Sequence, residues 1–443
     1  MDSYHITGGK RLVGEHRLSG AKNGVLPILA ATVMTGDACT ISSCPDLSDV
    51  HTMTEILQAL GCAVQQENGV ISVDARSACC AEVPRHLMGG MRSSVFLMGP
   101  LLARFGCAAL SFPGGCTIGE RPIDIHLDGL KKLGAEIEWE DERLICRTTG
   151  LKGAEIRLSF PSVGATENLM MAACAAQGET RIIHPAREPE IQDLQNFLNA
   201  CGARVSGAGT GEIVISGKTA LQGCDHRVIP DRIEAGTFLA AAAATGGEIR
   251  LLDCAPSQMA QIIDKLAAAG CRISVTGSTL WLSAPERLKA VREIKTLPYP
   301  GFPTDMQSQF AVVLTCAKGE SRVTETIFEN RFKYVPHLRR MGAQIDISGQ
   351  SAVIRGVPRL HGARVSAEDL RGGAALVLAG LSAEGKTIVE NVCHIDRGYD
   401  KLEVALNALG AKIERKESCR KKTDSRNGRK NGRKNGAGGD FCS

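Results

Sequence analysis

Two glycine markers recur six times along this 443-residue chain, at intervals of 68 to 73 residues for the first of them. That marker closes one segment and opens a strand-like one: LGCAV at Gly61, LGAEI at Gly134, CGARV at Gly202, AGCRI at Gly270, MGAQI at Gly342 and LGAKI at Gly410. The second ends an almost wholly apolar segment, at Gly36, Gly106, Gly178, Gly247, Gly319 and Gly385. Glycine after a helix is ordinary C-capping. Two markers kept in phase six times instead require one repeated building block.

Each block opens with a helix apolar on all sides, such as PILAATVM, NLMMAACAA or TFLAAAAA, which must be buried all round. A short strand, a loop, an amphipathic helix such as DIHLDGLKKLGA and a strand pair such as EIEWE and RLICRTT follow, so the unit reads as βαβαββ. The expected class is α/β. Five units finish with a second strand, whereas the sixth runs from AKIER into a charged tail, and the N-terminal SYHITGG carries the missing pattern. Residues 1–21 are therefore expected to complete the sixth unit. This divides the chain into a first domain over 22–229 and a second over 1–21 plus 230–415. Two crossings, near Ser19-Gly20 and Arg227 to Pro230, would act as a hinge that opens and closes a cleft.

The formal net charge of +4 belongs to the C-terminus, because residues 416–443 hold nine Lys/Arg against three Asp/Glu. The rest is slightly acidic, so no nucleic-acid partner is expected of the folded body. The 416–443 segment, with RNGRKNGRKNGAGG, is low in complexity and expected to be a disordered basic tail. No apolar run approaches the roughly 20 residues of a membrane span, and the opening MDSYHITGGK is polar. Seventeen cysteines without CxxC pairs or Cys/His ligand spacing read as reduced thiols of a cytoplasmic protein, with neither a disulfide frame nor a metal site.

The starts of the buried helices carry charge: Lys22-Asn23, Arg92, Ser162 in PSVGATEN, Asp231 and Glu234, Asp305, and Arg371. Helix N-termini already offer free N–H groups and partial positive charge, so cations added there fit a bound phosphate or carboxylate. The loop before the amphipathic helix repeats the theme with Arg121, Arg187, Arg331 and Arg397, whose planar forks suit an acceptor with several anionic groups. Cys116 lies in the glycine-rich FPGGCTIGERP, five residues before Arg121, where positive charge favours a thiolate; it is the candidate acid or nucleophile. Asp305 in FPTDMQ reads equally as a helix N-cap and as a general base.

Together SGAKNGVLPILAA, MRSSVFLMGPLLARFG, PGGCTIGERPIDIHLDGL, PSVGATEN, AREPEIQDL, PDRIEAGTF, FPTDMQSQF, ENRFKYVPHLRRMGA and HIDRGYDKLE closely resemble the enolpyruvyl transferases, and within them the branch whose acceptor is UDP-N-acetylglucosamine. The resemblance covers residues 3 to about 415. It implies two inside-out α/β barrel domains, each of three βαβαββ units around buried helices, with substrates between them. It implies transfer of the enolpyruvyl group of phosphoenolpyruvate to the sugar 3′-hydroxyl by addition and elimination, the first committed step of peptidoglycan precursor synthesis. No metal and no organic cofactor take part. Phosphoenolpyruvate would be held by Lys22, Asn23, Arg121, Arg331, Arg371 and Arg397. Cys116 would donate the proton to C3, and Asp305 would be the base at the hydroxyl. The UDP-sugar would meet Arg92, Arg121, Pro122, Ile123, Asp124, Ile125, Ser162, Val163, Gly164, Asp305 and Ile327. Phe160 stands where some relatives place a lysine near the diphosphate. The shikimate-accepting branch, which lacks the PGGC loop here, and a non-catalytic nucleotide-sugar sensor are the competing readings.

Overall fold

The computed structural model describes residues 2–88, 92–111, 123–140, 142–218 and 220–417, with side chains from Val95 onward in the second of these segments. Almost all of the basic tail lies outside them. Six helices are buried along most of their length: Lys22–Ala31, Met98–Phe105, Val163–Cys174, Arg232–Ala244, Gln307–Thr315 and Leu370–Ser382. Their apolar surface continues round the cylinder, so each packs on neighbours from every side. The first three fall in a core running from Ala21 to Val228, and the last three in a second core running from Ile233 to Ile413 and joined by Tyr4, Ile6, Leu12 and Leu18. Helices occupy the centre of each core and sheets its outside, which is the inside-out α/β arrangement.

The third unit displays the pattern in full: strand Glu155–Arg157, the buried helix, strand Glu179–Ile183, amphipathic helix Pro189–Ala200 and the hairpin Arg204–Ser206 with Glu212–Ser216. All six glycines of the first marker adopt left-handed backbone, with φ between 92° and 98°, a region in which a Cβ would be strained. The second marker is looser. Gly106, Gly178, Gly319 and Gly385 have positive φ, but Gly36 and Gly247 do not.

The two ends of the chain exchange strands. Ser3–Thr7 enters the sheet of the sixth unit between Lys386–Glu390 and Ile413–Lys416, antiparallel to both, where the other units place their second hairpin strand. Val13–Arg17 runs parallel to Glu248–Leu252 at the edge of the fourth unit's sheet, and Asp225–Arg227 runs parallel to Ala38–Ser42 in the first. The chain thus passes between the cores twice, and the passages are hydrogen-bonded to each other. The Ala21 N–H donates to the Ile229 carbonyl at 2.7 Å and that of Asp231 to the Ser19 carbonyl at 3.0 Å. Gly20 lies so close to the first core that a Cβ would stand 2.0 Å from the Ser43 oxygen.

Candidate active site

Lys22 is the first residue of its helix, at one of the passages. Its backbone N–H donates to Asp231 Oδ2 at 3.1 Å, and the other oxygen of Asp231 caps the facing helix by accepting from Ile233 at 2.7 Å and Glu234 at 3.0 Å. One carboxylate therefore ties together the starts of two buried helices from different cores. The Lys22 ammonium lies 2.7 Å from Asp49, and the same carboxylate accepts two bonds from Arg397, at 2.9 and 3.3 Å. Burial, reinforced by the nearby Arg371 and Arg397, holds the Lys22 pKa below its ordinary value although Asp49 opposes the shift. Burial would raise the Asp49 pKa, but Lys22 and Arg397 outweigh it and hold the carboxyl below the ordinary range.

Asp305 sits in the 3-10 turn Thr304–Met306 and caps no helix with its side chain. Its oxygens instead face two guanidinium groups, Arg331 at 2.8 Å and Arg371 at 3.0 Å. Both arginines are almost wholly buried, 3% and 4% exposed. Arg371 also lies over the Tyr399 ring, 5.4 Å from its centroid. Nε of Arg331, and Nε and one terminal nitrogen of Arg371, are buried without an acceptor among the described residues. Buried donors left unmatched cost about 1 to 3 kcal/mol each, more when charged. An anion brought against them would supply the missing acceptors.

Asn23 follows Lys22 and is half-buried. Ser162 caps helix Val163–Cys174 by accepting from the Ala165 N–H at 3.4 Å, with Val163 and Gly164 in the first turn. Gly164 packs on the His126 ring, where a Cβ would stand 3.3 Å from Cε1, and His126 Nδ1 lies 3.1 Å from the Asn168 amide. This brings residues 162–164 beside Ile123, Asp124 and Ile125, at the start of helix Asp124–Lys132. Asn168 also accepts from the Gly99 N–H at 2.6 Å, which anchors the helix following the 3-10 segment Arg92–Leu97. The Ile327 N–H is occupied by Glu325 at 2.9 Å, leaving its carbonyl as the group it can offer. Phe160 is 40% exposed. Cys116, Arg121 and Pro122 lie outside the described residues.

Arg187 departs from the loop theme. It is exposed beside Gly211, whereas Arg331 and Arg397 join the carboxylates just described. Two residues missing from the sequence-based set complete the constellation. Asp49 lies on the buried stripe of helix Ser48–Ala59, with Val50, Met53, Ile56 and Leu57, and an acid on an otherwise apolar stripe was a readable signal. Glu325 is buried and accepts from Thr296 at 2.9 Å and Thr304 at 3.0 Å, fixing the turn that carries Asp305. Its neighbours in sequence gave no sign of it.

Over residues 6–420 the chain matches the family described as EPSP synthase (3-phosphoshikimate 1-carboxyvinyltransferase). It is 54% identical to UDP-N-acetylglucosamine 1-carboxyvinyltransferase 2 of Caldanaerobacter subterraneus subsp. tengcongensis, across 94% of this chain and 100% of that one. The UDP-N-acetylglucosamine 1-carboxyvinyltransferase of Desulfovibrio desulfuricans is 48% identical, again across 94% and 100%. Among solved structures, the enolpyruvyl transferase NikO from Streptomyces tendae superposes with a TM-score of 0.86 at 26% identity, covering 94% of this chain and 98% of that one. EPSP synthase from Acinetobacter baumannii gives 0.71 at 19% identity, covering 94% and 100%, a likeness of fold.

Proposed function

The chain belongs to the enolpyruvyl transferase family, and from that premise we infer that it transfers the enolpyruvyl group of phosphoenolpyruvate to the 3′-hydroxyl of UDP-N-acetylglucosamine with release of phosphate. Relatives at 48% to 54% identity carry that acceptor in their names, whereas the shikimate-accepting structure is similar at 19%. The observation that carries the reading is the set of buried guanidinium nitrogens of Arg331 and Arg371 with no acceptor among the described residues, beside Lys22 and Arg397. A carboxylate and a phosphate on one small substrate would satisfy them.

We propose the following roles. Lys22, Arg397 and the loop residue Arg121 grip the phosphate and carboxylate of phosphoenolpyruvate, with Asn23, Arg331 and Arg371 completing the anionic field. Cys116 delivers a proton to C3 as the sugar hydroxyl adds to C2, and Asp305 takes the hydroxyl proton. The product of addition is a tetrahedral phospholactyl ketal; loss of phosphate, with removal of a C3 proton, restores the double bond. Fixed cations around the ketal stabilise the charge that develops without reorganising. The UDP-sugar lies against Arg92, Arg121 to Ile125, Ser162 to Gly164 and the Ile327 carbonyl. Arg331 and Arg371 orient both Asp305 oxygens, which supports a positioned base over a capping residue.

The two cores support domains over 22–229 and over 1–21 plus 230–415, closing about the paired passages at 19–21 and 229–231. No helix among the described residues is long and apolar enough to cross a membrane. We place the enzyme in the cytoplasm, acting without metal, cofactor or membrane partner. The test is phosphate release from phosphoenolpyruvate with UDP-N-acetylglucosamine or shikimate 3-phosphate as acceptor. Release with the first alone is expected. Release with the second alone, or with neither, overturns the assignment.

A further inference from the structure

Three thiols meet where the third unit packs on the first. Cys201 ends helix Pro189–Ala200, Cys224 directly precedes strand Asp225–Arg227, and Cys39 lies on the adjacent strand Ala38–Ser42. The strands are held by the Thr40 N–H donating to the Cys224 carbonyl at 3.0 Å, and Cys201 by its carbonyl accepting from Gln222 at 2.9 Å. The Sγ atoms of Cys201 and Cys224 are 3.3 Å apart. Two thiolates on one zinc ion would stand roughly 3.8 Å apart, given Zn–S bonds of about 2.3 Å, so this pair is too close for a shared cation. Closing it to a disulfide of about 2.05 Å requires an approach of only about 1.3 Å.

The third thiol has a different environment. Cys39 is fully buried, and its sulfur lies 3.7 Å from the Thr35 hydroxyl. Its interaction with Cys201 pulls its pKa down to about 6. The same contact, with burial, pushes that of Cys201 up. Cys224 is the most accessible of the three, being only half-buried.

We infer that Cys201 and Cys224 form a reversible disulfide driven by hydrogen peroxide. In the first step the Cys224 sulfur takes one peroxide oxygen, giving a sulfenic acid and one water. In the second, the Cys201 sulfur attacks the Cys224 sulfur. The S–O bond breaks, the S–S bond forms, and the departing hydroxide takes the Cys201 proton to become the second water. Two thiols lose two electrons and one peroxide is reduced to two waters. The bridge pins the end of the helix carrying Glu190 and Asp193 to the strand leading into the passage at 229–231. Those two acids already bind Arg232 and the Ile229 N–H there.

The full chain is treated with hydrogen peroxide, denatured, alkylated with N-ethylmaleimide and digested with trypsin. A mass spectrum containing residues 188–204 joined to 219–227, lost after dithiothreitol, is expected. Cys201 and Cys224 both recovered as alkylated thiols, while the exposed Cys79 and Cys393 are oxidised, would overturn the site. A Cys39–Cys201 link in its place would overturn the pairing of Cys201 with Cys224.

Discussion

Cys116 and His126 lie six residues before and four residues beyond Pro122, and the two call for opposite kinds of test. Cys116 is chosen by chemistry, as the thiol of a glycine-rich stretch of sequence five residues before Arg121. Cys116→Ser keeps the shape but raises the acid's pKa far above neutrality, so turnover should fall at least roughly 10²-fold with folding intact. Fosfomycin, an epoxide, should add its mass to Cys116; inactivated enzyme with that thiol unmodified would refute the assignment. His126 is instead a structural residue with a measurable cost. Burial holds its pKa at about 4, below the ordinary 6.5, so the folded chain keeps it neutral while the unfolded chain takes up a proton. Its contribution is therefore complete above pH 6.5 and is lost as pH falls toward 4, by about 3 kcal/mol. His126→Gln should flatten the decline of the urea midpoint over that range. Parallel slopes for the two proteins would show that His126 does not supply it.

At the scale of elements, the first strand completes the sheet of the sixth unit. Ser3–Thr7 pairs on both edges, Tyr4 is fully buried in the second core, and its hydroxyl donates to Glu403 at 2.6 Å. Tyr4→Ala should cost about 3 to 5 kcal/mol, the range for emptying an aromatic site, and leave Glu403 short of a donor. Thermal unfolding should begin well below that of the parent, and an unchanged midpoint would mean the sixth sheet holds without this strand. Its place was legible in the sequence because a repeat makes an absence visible: five hairpins predict a sixth. The glycines of the first marker were legible for the same reason, their φ being set by the helix-to-strand turn alone. Contacts between distant elements were not. Arg187 shares its loop position with Arg331 and Arg397 yet points to solvent, because position in a unit does not settle which rotamer the next element permits. The Cys201–Cys224 contact and the Glu325 bonds join segments whose spacing in sequence carries no period.

For the whole molecule, the telling contact is the one in which Asp49 of the first core holds Lys22 from its own core and Arg397 from the other. Arg371 lies near enough to Lys22 to lower its pKa, so the carboxylate separates cations that would otherwise repel across the cleft. Asp49→Asn keeps the size of the side chain and removes its charge. Removing one member of a buried ion pair typically costs about 3 kcal/mol or more, because the partner charges stay buried without compensation. An anion entering the cleft would replace the missing charge, and a ligand that binds only the folded protein stabilises it in proportion to its affinity. The variant should therefore melt below the parent in phosphate-free buffer and recover a large part of the difference on adding inorganic phosphate, while the parent shifts little. Equal shifts in the two proteins would mean that Asp49 does not occupy the place of a substrate anion, and that the cations of the cleft are balanced by other groups.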